Sequence, residues 1–162
     1  MRIKKIGHCC LAVEEGSLKV LTDPGSYSDG QNSEKDIDAV LITHEHSDHL
    51  HIGSLKKVLK RNPSAKVYTN RGVGKLLEEA GISYTLLEHG QSVSVKGVPI
   101  EAFGKKHALI YSTVPEVVNT GYMMAGRLFY PGDSFYIPQK KVEILALPVA
   151  GPWMRLSETI DY

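Results

Sequence analysis

The sequence predicts a layered α/β fold, and three observations predict it. Short apolar segments alternate with amphipathic ones over the first half of the chain. One of them, Ala39-Val40-Leu41-Ile42, is a continuous apolar run of the kind that suits a strand buried on both faces. The second half is a series of strand-like segments joined by tight turns. A length of 162 residues suits a single domain spanning 1–162, and a hydrophobic content of 42% is enough for a packed core.

The opening reads as strands over Arg2–Ile6 and His8–Glu14, rich in Ile, Leu, Val and Cys. Glu15-Gly16 turns the chain and Ser17–Thr22 pairs back. Asp23-Pro24-Gly25 stops the sheet, because Pro and Gly cannot continue a central ladder. Ser26–Lys35 is a polar loop. After the Ala39–Ile42 strand, Leu50–Arg61 carries Ile52, Leu55, Val58 and Leu59 at helical spacing and ends at Asn62-Pro63. Lys66–Thr69 is a strand and Arg71–Ala80 a second helix, stopped by Gly81. Strands follow at Ser83–Leu87, Ser92–Val95, Val98–Phe103, Val117–Met124, Arg127–Tyr130 and Val142–Leu147, with hairpin turns at Lys96-Gly97 and Ala125-Gly126. Ser157–Tyr162 reads as the first turn of a helix capped by Ser157. The strands of the second half have no complete helix to cover them, so the chain looks cut short and an apolar sheet face is expected to favour self-association into a homo-oligomer.

Bulk properties narrow the function. A net charge of +1, from 19 basic and 18 acidic side chains, argues against nucleic acid and membrane surfaces as partners and leaves a small-molecule substrate. No apolar run approaches the roughly 18 residues of a membrane helix, and Met1–Ile6 lacks the apolar stretch of a secretory leader. The only cysteines, Cys9 and Cys10, are adjacent and point to opposite faces of a strand, so they read as two buried small residues in a reducing, cytoplasmic setting.

The chemistry concentrates in Thr43-His44-Glu45-His46-Ser47-Asp48-His49, directly after the buried strand. Three of the seven histidines fall within six positions there. Imidazole and carboxylate are the ligands that Zn²⁺ and similar ions prefer. Alternation puts His44 and His46 on one side of an extended segment, where both can reach one ion. Asp48 and His49 come as the chain turns into a helix and point at a neighbouring position.

His44-x-His46-x-Asp48-His49 resembles the signature of the metallo-β-lactamase superfamily, whose fold is an αββα sandwich of two mixed sheets flanked by helices. The resemblance continues through Leu21–Gly25, His107 and Tyr130-Pro131-Gly132-Asp133-Ser134. Gly7-His8-Cys9-Cys10 and Leu147–Trp153 resemble a bacterial branch of metal-dependent hydrolases to which phosphorylated-ascorbate lactonases are related. It implies two divalent ions, Zn²⁺ first, with Mn²⁺ or Fe²⁺ accepted by the same ligands. His44, His46 and His107 are expected to hold the first, Asp48 and His49 the second, and Asp133 to bridge them. Asp48 has the further expected role of orienting the nucleophilic water. The superfamily supplies one more histidine from a later loop, and this sequence has none after His107. The second site is therefore expected to lack one protein ligand and the last helix to be missing. Paired cations lower the pKa of a shared water to about 7 and polarise a carbonyl or phosphoryl oxygen. The expected activity is hydrolysis of a small ester, lactone or amide by a metal-bound hydroxide. The alternatives are a phosphodiesterase or nuclease of the same superfamily, and a metal-binding protein without catalysis.

Other residues stay open. Asp23 either accepts a hydrogen bond from a ligand imidazole or simply ends a strand. His8 either faces the metal cleft or is a hydrogen-bonded core histidine. His51 and His89 read as surface and turn residues, and Lys105 and Lys106 as a solvated loop. Trp153 either walls the cleft or caps the sheet.

Overall fold

The computed structural model describes residues 1–162. Strands β1 (Arg2–Gly7), β2 (Cys10–Glu15), β3 (Leu18–Thr22), β4 (Ala39–Ile42), β5 (Lys66–Thr69) and β6 (Thr85–Leu86) form one sheet in that order. The pairs from β1 to β3 are antiparallel, and those from β3 to β6 are parallel. Helices α1 (Ile52–Arg61) and α2 (Arg71–Glu79) make the β4–β5 and β5–β6 crossovers. Strands β7 (Ser92–Val95), β8 (Val98–Phe103), β9 (Gly121–Met124), β10 (Leu128–Tyr130) and β11 (Ile144–Leu145) form the second sheet, in the order β11-β10-β9-β8-β7. It is antiparallel except for the β10–β11 pair. Both sheets are thus mixed.

The apolar run of β4 explains the layering. Its alternate residues Val40 and Ile42 join Leu55, Val58, Val73 and Leu77 of the two helices. Ala39 and Leu41 face the other way, onto Ile100, Tyr122, Leu128 and Tyr130 of the second sheet. All four β4 residues are fully buried, and burying the Val40, Leu41 and Ile42 side chains is worth about 1.5–3 kcal/mol each. The helix starts are capped by side chains: the His51 ring accepts from the Ser54 amide at 3.3 Å, and the Asn70 side chain from those of Gly72 and Val73. His51 is thus a surface residue whose ring is satisfied by capping α1.

Several sequence expectations are corrected. His8 lies in the β1–β2 turn with φ +44°, not in a strand or the core. The expected strand Val117–Met124 shortens to Gly121–Met124, because Val117 and Thr120 bond instead to His107 and Thr43. Val142–Leu147 shortens to Ile144–Leu145, since the Glu143 and Ile144 amides both donate to the Arg127 carbonyl and use up one ladder step. The expected helical turn at the end of the chain is α3, Leu156–Asp161, but it begins at Arg155, whose amide donates to the Glu158 carboxylate at 2.8 Å, so Ser157 lies inside it instead of capping it. The outer face of the second sheet is not bare. Met123 and Phe129 are fully buried there, with Phe103 edge-on to Phe129 and Tyr136 against Phe103. Exposed apolar side chains lie instead on the segment that follows, at Ile137, Val149, Leu156 and Ile160.

The loops after β3 and β4 touch backbone to backbone. A Cβ on Gly25 would stand 1.7 Å from the Asp48 carbonyl oxygen. Gly25→Ala must therefore displace the histidine-rich segment, and a loss of at least about 3 kcal/mol is expected, the upper end of ordinary overpacking. Gly16→Ala, at φ +58° with open space around it, is expected to lose only about 1–2 kcal/mol. Urea denaturation of both variants checks the order.

Candidate metal centre

The site lies at one edge of the sandwich, where β1, β3, β4, β8 and β10 run out. A single buried carboxylate organises it. Asp23 follows β3 with φ +37° and no exposed surface. Its Oδ1 accepts from the Thr43 amide at 2.7 Å, and its Oδ2 from the Thr43 and Tyr130 hydroxyls, each at 2.7 Å. Oδ2 also stands 2.7 Å from His49 Nδ1. Asp23 thus accepts from a ring nitrogen and also ends the strand.

The tautomers follow from these bonds. The Thr43 hydroxyl gives its proton to Asp23, so at 3.0 Å from His44 Nδ1 it can only accept. The His44 proton is then on Nδ1, and Nε2 carries a lone pair. His107 Nδ1 donates to the Ala108 carbonyl at 2.6 Å, with the same result. Both Nε2 atoms are buried and have no hydrogen-bond partner. The ligand nitrogens of His44, His46 and His107 all lie within 4.8 Å of one another. Buried nitrogen lone pairs are otherwise costly to leave unpaired, and their convergence fits a divalent cation.

Asp133, on the turn after β10, faces both halves of the site. Its Oδ1 is 3.2 Å from His49 Nε2 and its Oδ2 3.4 Å from His107 Nε2. Trp153 fixes it by donating from the indole nitrogen to Oδ2 at 2.9 Å, and Asn119 accepts from its amide at 3.1 Å. Asp48, about a quarter exposed, places Oδ2 3.6 Å from His49 Nε2 and 2.9 Å from His8 Nε2. All eight candidate residues, His8, Asp23, His44, His46, Asp48, His49, His107 and Asp133, therefore meet at one edge. Lys105 and Lys106 are exposed, and His89 accepts from the Gly104 amide away from the cluster. Thr43, Tyr130, Asn119 and Asn70, which bonds the Thr43 carbonyl at 2.7 Å, carry no ligand signature in the sequence.

The two halves differ in charge. Burial pushes His44 well below the usual histidine range, and nearby His49 adds to this; burial also lowers His46. For His49 burial opposes the charge, but the Asp23 carboxylate and the contacts to Asp133 and Asp23 outweigh it and hold its pKa well above the usual value. Burial opposes ionisation of Asp133, yet the contact from His49 Nε2 and the His49 charge hold its carboxyl far below the usual range.

The family model described as a beta-lactamase superfamily domain matches residues 2–162. The chain belongs to the metallo-β-lactamase superfamily. Within this superfamily it is similar to a Mycobacterium tuberculosis protein, 34% identical over 167 residues, covering 100% of this chain and 77% of the relative. It is also similar to a metal-dependent hydrolase of Aeropyrum pernix, 35% identical over 150 residues, with 82% of this chain and 61% of the relative covered. Among solved structures it is similar to a candidate metal-dependent hydrolase from Parabacteroides distasonis, with a TM-score of 0.78 and 25% identity over 98% of this chain and 74% of that one. The two mixed sheets and flanking helices described above are the superfamily's fold.

The opposed histidine shifts predict a stability maximum for the metal-depleted chain. Below the ordinary histidine pKa of 6.5, unfolded His44 binds a proton that folded His44 refuses, so stability rises with pH. Above 6.5, folded His49 keeps a proton that the unfolded chain has lost, so stability falls as pH rises. Thermal denaturation after chelation is expected to peak near pH ~6.5. Added Zn²⁺ is expected to remove the alkaline decline by taking the place of the His49 proton. A profile that climbs from pH ~6.5 to ~8.5 without metal would exclude a charged His49.

Proposed function

We propose that this metal-dependent hydrolase opens a small ester, lactone or amide at a dinuclear site. His44, His46 and His107 hold one divalent ion, Asp48 and His49 the second, and Asp133 lies between them. The observation that carries the reading is the pair of buried, unpartnered Nε2 atoms of His44 and His107, converging with His46. The three neutral nitrogens favour Zn²⁺, and the carboxylates of the other half also accept Mn²⁺ or Fe²⁺. When bound, the ions supply a water acidic enough to react near neutral pH and a Lewis-acid contact for the substrate oxygen.

The chain's own residues do the rest. Asp48, at the mouth, accepts a hydrogen bond from the attacking water and aims it. Asp133, held by Trp153, keeps its two oxygens on the two halves of the site. Asp23 holds the His49 ring. The net charge of +1 supports a small substrate over a polynucleotide, and two free cysteines support a cytoplasmic setting.

The test is a panel of chromogenic esters, lactones, amides and phosphodiesters, assayed with Zn²⁺, Mn²⁺ and Fe²⁺. Metal-stimulated turnover of an ester, lactone or amide is expected. Turnover confined to phosphodiesters, or indifferent to metal, would overturn the reading. His46 sits on a loop, so His46→Ala is expected to abolish tight metal uptake in elemental analysis while far-UV circular dichroism stays unchanged. Asp48→Asn is expected to lower kcat by about 10²–10⁴-fold, measured on whichever substrate turns over.

A further inference from the structure

We propose that His8 is a protein ligand of the second ion, beside Asp48, His49 and Asp133. The inference rests on the two-ion reading above. The donor atoms form one arc: His8 Nε2 to Asp48 Oδ2 at 2.9 Å, Asp48 Oδ2 to His49 Nε2 at 3.6 Å, and His49 Nε2 to Asp133 Oδ1 at 3.2 Å. The His8 ring is edge-on to the His49 ring at 6.1 Å between centroids.

The backbone is arranged to put the imidazole there. His8 has φ +44°, a left-handed conformation that a residue with a Cβ rarely adopts. Such strain persists only where the surroundings enforce it, and it concentrates at functional positions. The turn is clamped from outside. A Cβ on Gly7 would stand 2.8 Å from Ser28 Cβ, and the Tyr27 ring tilts against His8 at 5.0 Å.

The neighbouring thiol has another task. Cys9 lies within reach of His8 and His49, but its Sγ donates to the Asp48 carbonyl at 3.1 Å. It braces the loop that carries Asp48 and His49, and the ligand is the imidazole.

The test is calorimetric titration of the metal-depleted 162-residue chain with Zn²⁺ and Co²⁺, with elemental analysis of stoichiometry. The wild type is expected to take up two ions. His8→Ala is expected to keep the first at unchanged affinity, which also reports that the variant is folded. It should bind the second more than about a hundredfold more weakly, beyond the ten- to hundredfold typical of losing an outer hydrogen-bond partner. His8→Gln, which can still hydrogen-bond Asp48, is expected to be as weak as His8→Ala. Near wild-type second-ion affinity in either variant would reduce His8 to a support for Asp48 and overturn the proposal. A thiolate-to-cobalt charge-transfer band in the wild type would assign the place to Cys9 instead. A wild-type chain that binds only one ion would overturn the role of His8 alone. One that binds none would remove the two-ion reading as well.

Discussion

A carboxylate with no access to water must be neutralised by its neighbours, and the architecture of the site depends on how Asp23 meets that demand. Four groups converge on it: the Thr43 amide and hydroxyl, the Tyr130 hydroxyl and the His49 ring. They come from the ends of β4 and β10 and from the turn before α1, so one side chain joins both sheets to the helix layer. Stripping one partner from a buried ion pair typically costs about 3–5 kcal/mol. The arrangement therefore holds the three segments in register before any ion is considered.

That demand propagates outward. Because the Thr43 proton is committed to Asp23, His44 must present its lone pair to the cluster; because His49 is held by Asp23, its other nitrogen faces Asp133 and Asp48. One half of the site is consequently a set of neutral imidazoles and the other a charged imidazole among carboxylates. Divalent ions of different character, or one ion and the substrate oxygen it meets, are distinguished by such a gradient. Burial alone would have pushed both rings toward neutrality, and Asp23 decides which one stays charged.

The features legible in the sequence are those with short range. The Ala39–Ile42 run, the helical spacing of Ile52, Leu55 and Val58, and the glycine that stops α2 involve neighbours along the chain, and the structure has them where the pattern puts them. The histidine-rich segment is legible as a group for the same reason. Thr43, Tyr130 and Asn119 are not, because each holds a carboxylate-bearing residue 14 or more positions away and none is a residue type that announces a site; Trp153, open in the sequence between walling the cleft and capping the sheet, is placed by its bond to Asp133. His8 is misread by its neighbours: Cys9 and Cys10 suggest a strand, but the chain turns at His8 with a positive φ that no sequence pattern demands of a histidine. Strands β9 and β11 are overlong in the sequence because strand-forming residues continue past the point where ladder partners end.

The candidate ligands are divided between the two sheets. His8, His44, His46, Asp48 and His49 follow strands of the first; His107 and Asp133 follow strands of the second. Any ion held by His44 and His107 together, or bridged through Asp133, therefore fastens one sheet to the other at their common edge. The same edge is already joined by the Tyr130 hydroxyl on Asp23 and on the Cys9 carbonyl. Binding energy realised only in the folded chain adds to its stability, by about 2.7 kcal/mol at a hundredfold excess over Kd. Such a gain enters at the edge of the sandwich, apart from the core of Ile100, Tyr122 and Leu128 between the sheets. The imidazoles that would perform the chemistry thus also supply, at the open end of the sandwich, the cohesion that apolar packing supplies in its interior.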